Sequence, residues 1–396
     1  MFTESVIREM TRLAMDHGGI NLAQGFPDFP APAELLEAAA RALAEGHNQY
    51  AITWGSPRLR QALAEKVRWF NGLEVDPERN ITVTCGATEA MMATLLATVN
   101  PGDEVIVFEP FYENYGPDAK LSGAVPRFVR LRLTEGFPFD PDEVRAAVTP
   151  RTRAIILNTP HNPTGKVFTQ SELEAVADIC RRHDLLAITD EVYEHIVYEG
   201  YTHTTLAALP GMAERTVIVN SISKSYSVTG WRVGWTIAPP AVTDGIRKVH
   251  DFLTVGAAAP LQEAAVTALR FPREYYGTLA ATYQRKRDTL LGILREAGFA
   301  CLVPAGAYYI MCDIGPLGYD DDYALTMHLI KDVGVVPVPG SSFFHDPVYG
   351  KRYIRFAFPK RAETFDDVRA RFARLRPRAE ASGSSQGRTS SSPLPG

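Results

Sequence analysis

Alternation of short apolar runs with helix-like stretches is the feature that most limits how this chain can fold. β-Branched runs predict strands at residues 81–85, 104–108, 154–157, 185–189, 216–220 and 232–237. Amphipathic stretches of helical period lie between several of these runs, at residues 88–99, 171–183 and 239–252. Strands that alternate with helices in this way predict βαβ units. We therefore expect a mainly parallel sheet with helices on both faces.

The flanking segments predict a second, smaller unit. A helix is predicted over 57–71, with Pro57 in its first turn, and a long helical pattern covers 273–297. Two strand-like segments, 306–313 and 353–358, and a last helix near 362–375 follow. These patterns predict a large central α/β domain and a smaller α+β domain built mainly from the C-terminal third. Residues from Ala381 onward are rich in Ser, Gly and Pro, which predicts a disordered tail.

Composition narrows the functional classes. The 396 residues carry a net charge of −5, and their basic clusters are short. Because nucleic acid and anionic membranes favour clustered Lys and Arg, neither is expected to be the main partner. No apolar run approaches the ~18 residues that span a bilayer, and the first ten residues lack a signal-peptide pattern. The four cysteines form no C-x-x-C pair, and the nine histidines show no metal-binding spacing. We therefore expect a cytoplasmic, metal-independent protein.

Three polar segments follow predicted strands, where ligands of open α/β sheets usually bind. Gly86, Ala87 and Thr88 open a helix whose N-terminus favours a phosphate, although an ordinary capped turn fits as well. Asp190 closes a buried strand, where it could hold a proton on a heteroaromatic nitrogen or only cap a helix. Lys224 could form a Schiff base with a carbonyl if it is desolvated, or be an ordinary loop lysine. Together these parts match the needs of pyridoxal 5′-phosphate (PLP).

The order of these motifs resembles that of the class I aminotransferases of fold type I. The matching segments are Ser221-Ile222-Ser223-Lys224, Gly230-Trp231-Arg232-Val233-Gly234, Asn162-Pro163-Thr164-Gly165 and Asp190-Glu191-Val192-Tyr193. The similarity runs from Asn21 to about Phe358. The segments AQGFPDFP, NQY and EPFYENY look most like the subgroup of kynurenine, glutamine, methionine and aromatic aminotransferases. Some N-succinyldiaminopimelate aminotransferases share them.

The resemblance implies an α/β fold of the fold-type I PLP-transferases. Its large domain would hold a mainly parallel mixed sheet sandwiched by helices, beside a smaller α+β domain. The expected boundaries are 1–30 for an N-terminal arm and part of the small domain, 31–275 for the large PLP-binding domain, 276–378 for the small C-terminal domain and 379–396 for a disordered tail. The resemblance also implies a homodimer with shared active sites, which exchanges amino groups between L-amino acids and 2-oxo acids by a ping-pong mechanism.

The resemblance further assigns roles to residues. Lys224 would bind the cofactor covalently and then act as general base, Asp190 would pair with the pyridine nitrogen, and Tyr193 would hydrogen-bond the phenolic oxygen together with Asn162. Tyr112 would stack on the ring. The residues expected to hold the phosphate are Gly86, Ala87, Thr88, Ser221, Arg232 and, from the neighbouring subunit, Tyr50. The residues expected to bind the substrate are Gly25, Asn162 and Arg355, the last as the clamp of the α-carboxylate.

One departure from aspartate-specific relatives bears on the substrate. Those relatives carry a further arginine in the segment that matches residues 251–258, and this chain has none there. A neutral or aromatic side chain is therefore favoured, and Phe26, Trp54, Phe343 and Phe344 would suit such a pocket if they do not simply pack in the core. Three alternatives stay open: a C–S β-lyase or another PLP enzyme on the same scaffold, an N-succinyldiaminopimelate aminotransferase, or a cofactor-sensing regulator, which the intact Lys224 and Arg355 disfavour.

Overall fold

The computed structural model describes residues 4–134 and 136–375, so the predicted tail lies outside the described residues. The α-helices, in chain order, are α1 (Val6–Asp16), α2 (Ala33–Ala44), α3 (Pro57–Asn71), α4 (Ala87–Thr98), α5 (Tyr115–Leu121), α6 (Pro141–Ala147), α7 (Gln170–His183), α8 (Pro240–Leu253), α9 (Ala259–Leu269), α10 (Arg273–Glu296), α11 (Asp322–His328) and α12 (Ala362–Phe372). None of the described helices is both long and apolar enough to cross a membrane.

The strands form three sheets within the described residues. In chain order they are β1 (Ile20–Asn21), β2 (Ile81–Thr84), β3 (Glu104–Glu109), β4 (Val125–Arg130), β5 (Thr152–Asn158), β6 (Leu186–Asp190), β7 (Thr216–Ser221), β8 (Gly234–Ile237), β9 (Ala300–Cys301), β10 (Tyr309–Asp313), β11 (Val335–Val336), β12 (Val338–Pro339) and β13 (Tyr353–Ala357). Every predicted strand is present, with ends shifted by up to three residues.

The large sheet has the order β2-β8-β7-β6-β5-β3-β4. Its strands pair in parallel except for β8, which runs antiparallel to both neighbours. β3, β6 and β7 are buried at almost every position because helices cover both faces, and their continuous apolar sequences reflect this. The prediction of an α/β fold with a mainly parallel sheet is confirmed.

Local sequence signals fix the helix ends that the pattern predicted. α3 begins with Pro57 at its first turn and ends at Asn71, and the C-cap residue Gly72 has a φ of +70° that suits a residue without a side chain. α7 begins with a capping box in which Thr169 and Glu172 exchange hydrogen bonds between side chain and backbone. These signals are local, so they are readable from the sequence alone.

The smaller sheets come from the ends of the chain. The four-stranded antiparallel sheet has the order β12-β13-β10-β9, and β1 pairs in parallel with β11. A common hydrophobic core joins this second sheet to α10 and α12 and to the segment that follows β6. This arrangement agrees with a small unit made from both chain ends, while the predicted boundaries at 30, 275 and 378 stay a prediction.

Glu104 anchors the start of β3 through a fully buried carboxylate. It accepts hydrogen bonds from the Thr149 hydroxyl (2.6 Å) and from the guanidiniums of Arg127 (2.9 Å) and Arg151 (2.8 Å). The Thr149 hydrogen bond, followed by those of the two arginines, lowers the pKa of Glu104 to about 2 although burial opposes the shift. The group ties together the turns that begin β3 and β5.

Replacing Glu104 by Gln is expected to lower the free energy of unfolding at pH 7 by about 2 kcal/mol, the contribution typical of a hydrogen-bonded buried charge. Because the folded pKa lies below the unfolded one, this contribution is present above pH 4.5 and disappears as the pH falls toward 2. Urea unfolding of wild type and variant from pH 7 to pH 3 checks this. Glu143→Gln, which removes a surface ion pair with Arg132, should cost less than about 1 kcal/mol. Equal losses in both variants, or a pH-independent difference, would contradict the assignment.

Candidate active site

A cavity of about 830 Å³ lies where the carboxyl ends of the parallel strands meet the second sheet. The turns after β2, β3, β5, β6 and β7 all open into it because parallel strands end at the same edge. The predicted site residues that line it are Gly25, Ala87, Thr88, Tyr112, Asn162, Asp190, Tyr193, Ser221, Lys224, Arg232 and Arg355. The fold thus brings residues from motifs that are far apart in the sequence to the wall of one cavity.

The turn from β2 into α4 has the form of an anion cradle. Gly86 is the N-cap of α4 at φ +84°, and a Cβ there would lie 2.3 Å from Nη2 of Arg232. Arg232 donates to the Thr229 carbonyl (3.0 Å) and lies 3.5 Å from the Thr88 hydroxyl. No carboxylate of the described residues pairs with Arg232, so its charge and the helix N-terminus together favour an anion such as phosphate.

Asp190, at the end of β6, is almost fully buried. Tyr115 donates a hydrogen bond to its Oδ2 (2.7 Å), and the Val192 N–H donates to its Oδ1 (3.3 Å). Burial raises the pKa of Asp190 to about 6, although these hydrogen bonds and the charge of Lys224 oppose the shift. A buried carboxylate of this kind is stabilised by a cationic partner that donates a hydrogen bond to it.

Lys224 projects into the cavity from the turn after β7. Its Nζ lies 5.8 Å from the ring centroids of both Tyr193 and Tyr308. Burial, and then the charge of Arg232, lowers its pKa to about 8, while Asp190 opposes the shift. A larger fraction of this amine is therefore unprotonated at neutral pH than in an ordinary lysine, and the unprotonated amine is the nucleophilic form.

Arg355, on β13, is a fully buried cation. Its Nη1 donates to Oδ1 of Asn162 (2.7 Å) and its Nη2 to the Ala23 carbonyl (2.5 Å), while Nε has no hydrogen-bond partner within residues 4–134 and 136–375. The guanidinium lies 4.2 Å from the ring centroid of Tyr309. Among the described residues no carboxylate pairs with it. A buried guanidinium with a free donor fits a carboxylate ligand.

The remaining predicted residues are placed as follows. A Cβ on Gly25 would lie 2.1 Å from the Tyr309 hydroxyl, so this position leaves no room for a side chain. Tyr193, expected at the phenolic oxygen of the cofactor, shares a hydrogen bond of 2.9 Å with Tyr309. Gly86 supports the cradle but is not itself a lining residue of the cavity. Tyr50 is 89% exposed and borders a separate hollow, together with residues 256–260.

The sequence analysis did not identify two features of the site: Tyr115, and the hydrogen-bonded group of Glu89 and His250. Tyr115 begins α5 and donates a hydrogen bond to Asp190, which is 75 positions away in the chain, a contact that no local sequence signal indicates. Below the cradle, Glu89 accepts from the Cys85 N–H, from Nδ1 of His250 (2.6 Å) and from Thr254. Nε2 of His250 faces the Thr53 carbonyl at 2.8 Å. Both ring nitrogens of His250 thus face acceptors. Burial lowers the pKa of His250, but the hydrogen bond to Glu89 outweighs it and raises the pKa above the ordinary value.

Of the four aromatic residues considered for a side-chain pocket, Phe26 lines the cavity. Phe343 is buried beside Arg355, with its ring centroid 4.8 Å from the guanidinium carbon. Trp54 and Phe344 are not among the described residues that line the cavity.

The family model for aminotransferases of class I and II matches residues 17–368. The probable N-succinyldiaminopimelate aminotransferase of Mycobacterium tuberculosis is 41% identical over 94% of this chain and 96% of its own length. The methionine aminotransferase of Escherichia coli K12 is 39% identical over 91% of this chain and 93% of its own. The human kynurenine–oxoglutarate transaminase 1 is 38% identical over 89% and 91%. A solved structure of the N-succinyldiaminopimelate aminotransferase from M. tuberculosis superimposes with a TM-score of 0.92 at 41% identity, covering 94% of this chain and 98% of that one.

The fold and the site define a PLP-dependent transaminase of fold type I. The chain belongs to the class I and II aminotransferase family. Its residues fit the cofactor, because a glycine cradle beside Arg232 suits the phosphate and the buried Asp190 suits a protonated pyridine nitrogen. When bound, PLP withdraws electrons from the carbon that carries the amino group.

Gly86→Ala is expected to weaken PLP binding by about 10- to 100-fold. The added Cβ displaces the Arg232 guanidinium, and a hydrogen bond to a charged group contributes about 1.5–3 kcal/mol. Titration of apoprotein with PLP measures the affinity. Gly102→Ala is the matched control, because Gly102 also has a positive φ (+89°) but a Cβ there meets nothing within 4 Å. Unchanged affinity in the Gly86 variant would overturn the cradle assignment.

Proposed function

We propose that this transaminase takes L-α-amino acids with a large neutral or aromatic side chain and passes the amino group to a 2-oxo acid by a ping-pong mechanism. The observation that carries this proposal is the buried guanidinium of Arg355, which pairs with no carboxylate of the described residues and lies in the same cavity as Lys224. A fixed guanidinium selects ligands with a carboxylate, and the amine beside it is placed to exchange protons at the neighbouring carbon.

The proposed roles follow from the surroundings of each side chain. Asp190 holds a proton at the pyridine nitrogen, and Tyr115 fixes the orientation of its carboxylate. Lys224 attaches the cofactor and then moves a proton to and from the substrate α-carbon. Arg355 holds the α-carboxylate, and Asn162 orients Arg355 through its amide oxygen. Tyr193 lies near Lys224 and Tyr309 lies beside Arg355, and the two tyrosines share a hydrogen bond.

The phosphate is proposed to lie at the N-terminus of α4, where it contacts the Ala87 N–H, the hydroxyls of Thr88 and Ser221 and the guanidinium of Arg232. Gly86 permits the close approach of Arg232. Tyr112, half-buried on the cavity wall, is proposed to stack on the ring.

The proposal of a neutral or aromatic side chain is supported by the segment that would supply a second arginine. Residues 251–258 contain no Arg, and Leu253 and Thr254 of this segment line the cavity. Ile7 and Phe26 line it as well. These side chains offer apolar contact and no charge to a dicarboxylate.

A second candidate substrate, N-succinyl-LL-diaminopimelate, is favoured by Arg8 on α1. Arg8 lines the cavity, and it makes no salt bridge within the described part of the chain, whereas Arg12, one turn further on, pairs with Glu4. A free guanidinium at the cavity wall could bind the distal carboxylate of a long N-acylated substrate. The 41% identical relative from M. tuberculosis carries this substrate in its name.

The assembly is proposed to be a homodimer. Tyr50, Phe252 and Val255 are exposed by 89%, 92% and 49%, and burial of such apolar side chains against a second copy would be favourable. A second copy over this surface would cover them and bring Tyr50 to the phosphate of the neighbouring site. The four free cysteines agree with the proposal of a cytoplasmic location.

Lys224→Ala is expected to abolish borohydride-reducible attachment of PLP and to lower transamination by about 10³- to 10⁴-fold, because the variant loses both the nucleophile and the general base. Absorbance of the bound cofactor and single-turnover kinetics measure the two effects. Lys248→Ala, on the exposed side of α8, should leave both unchanged. Full transamination by the Lys224 variant would contradict the proposed function.

A half-reaction screen separates the two candidate substrates. The wild-type protein is mixed with methionine, kynurenine, glutamine or N-succinyl-LL-diaminopimelate, and loss of the cofactor absorbance is followed. If the succinylated substrate reacts through Arg8, Arg8→Gln should lower its kcat/KM by about 10- to 100-fold, the equivalent of one charged hydrogen bond, and leave methionine unaffected. Arg12→Gln is the matched control on the same helix. Equal effects of Arg8→Gln on all substrates would exclude the role of Arg8.

A further inference from the structure

Two cysteines that are eleven residues apart meet on the second sheet. Cys301 ends β9, Cys312 lies directly opposite it on β10, and their Sγ atoms are 3.1 Å apart. The Leu302 N–H donates to the Met311 carbonyl (2.9 Å) just beyond the pair. This places the two cysteines at a non-hydrogen-bonded position, where antiparallel strands come closest.

The register allows a disulfide without movement of the strands. Cα atoms at such a position are typically ~4.5 Å apart, within the ~4.4–6.8 Å range of natural disulfides. The pair lies on the face of the sheet opposite Arg355, because Arg355 is paired with Met311 and side chains alternate along β10. A bond between the two sulfurs therefore leaves the cavity side of the sheet unchanged.

The two thiols differ in access. Cys301 is half-buried on an edge strand between Ala300, which is exposed, and Leu302, whereas Cys312 is fully buried. Cys301 is therefore the thiol that an external reagent reaches first, and Cys312 is placed to react second. Burial raises the pKa of the Cys312 thiol, and the charge of Arg295 on α10 opposes this shift.

We propose that Cys301 and Cys312 form a thiol–disulfide exchange site that reacts with small-molecule disulfides of the glutathione class. The Cys301 thiolate attacks one sulfur of the disulfide, forms a mixed disulfide and releases the first thiolate. The Cys312 thiol then attacks Cys301 Sγ, its proton passes to the thiolate that leaves, and the Cys301–Cys312 bond forms as the second thiol is released. The two cysteines lose two electrons and two protons in total, and the small disulfide is reduced to two thiols.

Oxidation closes the loop of residues 302–311 and fastens the edge strand β9 to β10. β10 is the neighbour of β13, which carries Arg355, so the bond restrains the sheet that presents the proposed carboxylate clamp. We expect a higher Tm for the oxidised holoenzyme than for the reduced one, because the bond limits the unfolded chain.

The experiment equilibrates the purified holoenzyme with graded ratios of reduced and oxidised glutathione, followed by alkylation and mass spectrometry. The expected product has lost two of its four alkylatable thiols and two hydrogens, and its proteolytic digest contains a peptide that joins Cys301 to Cys312. A protein that keeps all four thiols under oxidised glutathione, or forms only a mixed disulfide at Cys85, overturns the proposal.

Two variants separate the steps. Cys312→Ser should stop at a mixed disulfide on Cys301, and Cys301→Ser should remain free of glutathione at Cys312. Cys301 is half-buried on an edge strand, so its serine variant keeps the test valid if the buried Cys312 variant does not fold. Cys180→Ser, at a fully buried cysteine outside the second sheet, is the control and should form the disulfide as wild type does. Disulfide formation that persists in the Cys301→Ser variant would exclude the Cys301–Cys312 site. Basal transamination by the Cys301 and Cys180 variants serves as the control that their fold is intact.

Discussion

A buried guanidinium that no carboxylate in the described part of the chain neutralises joins three separate segments. Arg355 lies on the second sheet, donates to Asn162 in the turn after β5 of the large sheet and donates to the Ala23 carbonyl after β1. Burying a cation costs several kcal/mol, and hydrogen bonds and two aromatic rings offset only part of that cost. The Nε donor of Arg355 finds no partner among the residues that the structure describes. The contact between the two sheets therefore includes a charge whose natural complement is a ligand carboxylate, and we propose that the same guanidinium selects the substrate.

The parts of this arrangement that could be predicted from the sequence are those set by local burial. β3, β6 and β7 are covered on both faces, so each appears as a continuous apolar run, and the polar residue that ends the run marks the edge of the sheet. Asp190 and the turn that holds Lys224 were placed at that edge for this reason. The helix over Pro57–Asn71 was predicted with its observed ends because proline and glycine mark both ends locally. The roles of Asn162, Arg355 and Tyr50 came from family resemblance, because nothing in their spacing distinguishes them from ordinary polar residues.

What could not be predicted depends on register and on contacts between distant residues. β4, with Pro126 and a mixed burial pattern, lacks the apolar run that identifies its neighbours. The antiparallel direction of β8 follows from a connection through the turn of Lys224 and Arg232, not from its composition. Tyr115 meets Asp190 across 75 positions, and Cys301 meets Cys312 only because of the register of β9 and β10. Cysteine spacing alone indicated no dithiol, and the sheet nevertheless forms one.

Burial shifts the pKa values of Asp190 and Lys224, the two groups that we propose hold and move protons in the cavity. Burial raises the pKa of Asp190 from 3.8 to about 6 and lowers that of Lys224 from 10.5 to about 8. The same physical cause therefore moves the pKa of an acid and the pKa of a base closer to pH 7. Arg232 is the second cause of the Lys224 shift, and Arg355 adds to it. A phosphate beside Arg232 and a carboxylate beside Arg355 each offset one of these positive charges, so both ligands favour protonation of Lys224. The two arginines that we propose bind the anionic ligands therefore also tune the pKa of the Lys224 amine, and occupancy of either proposed site would change the proton affinity of this amine.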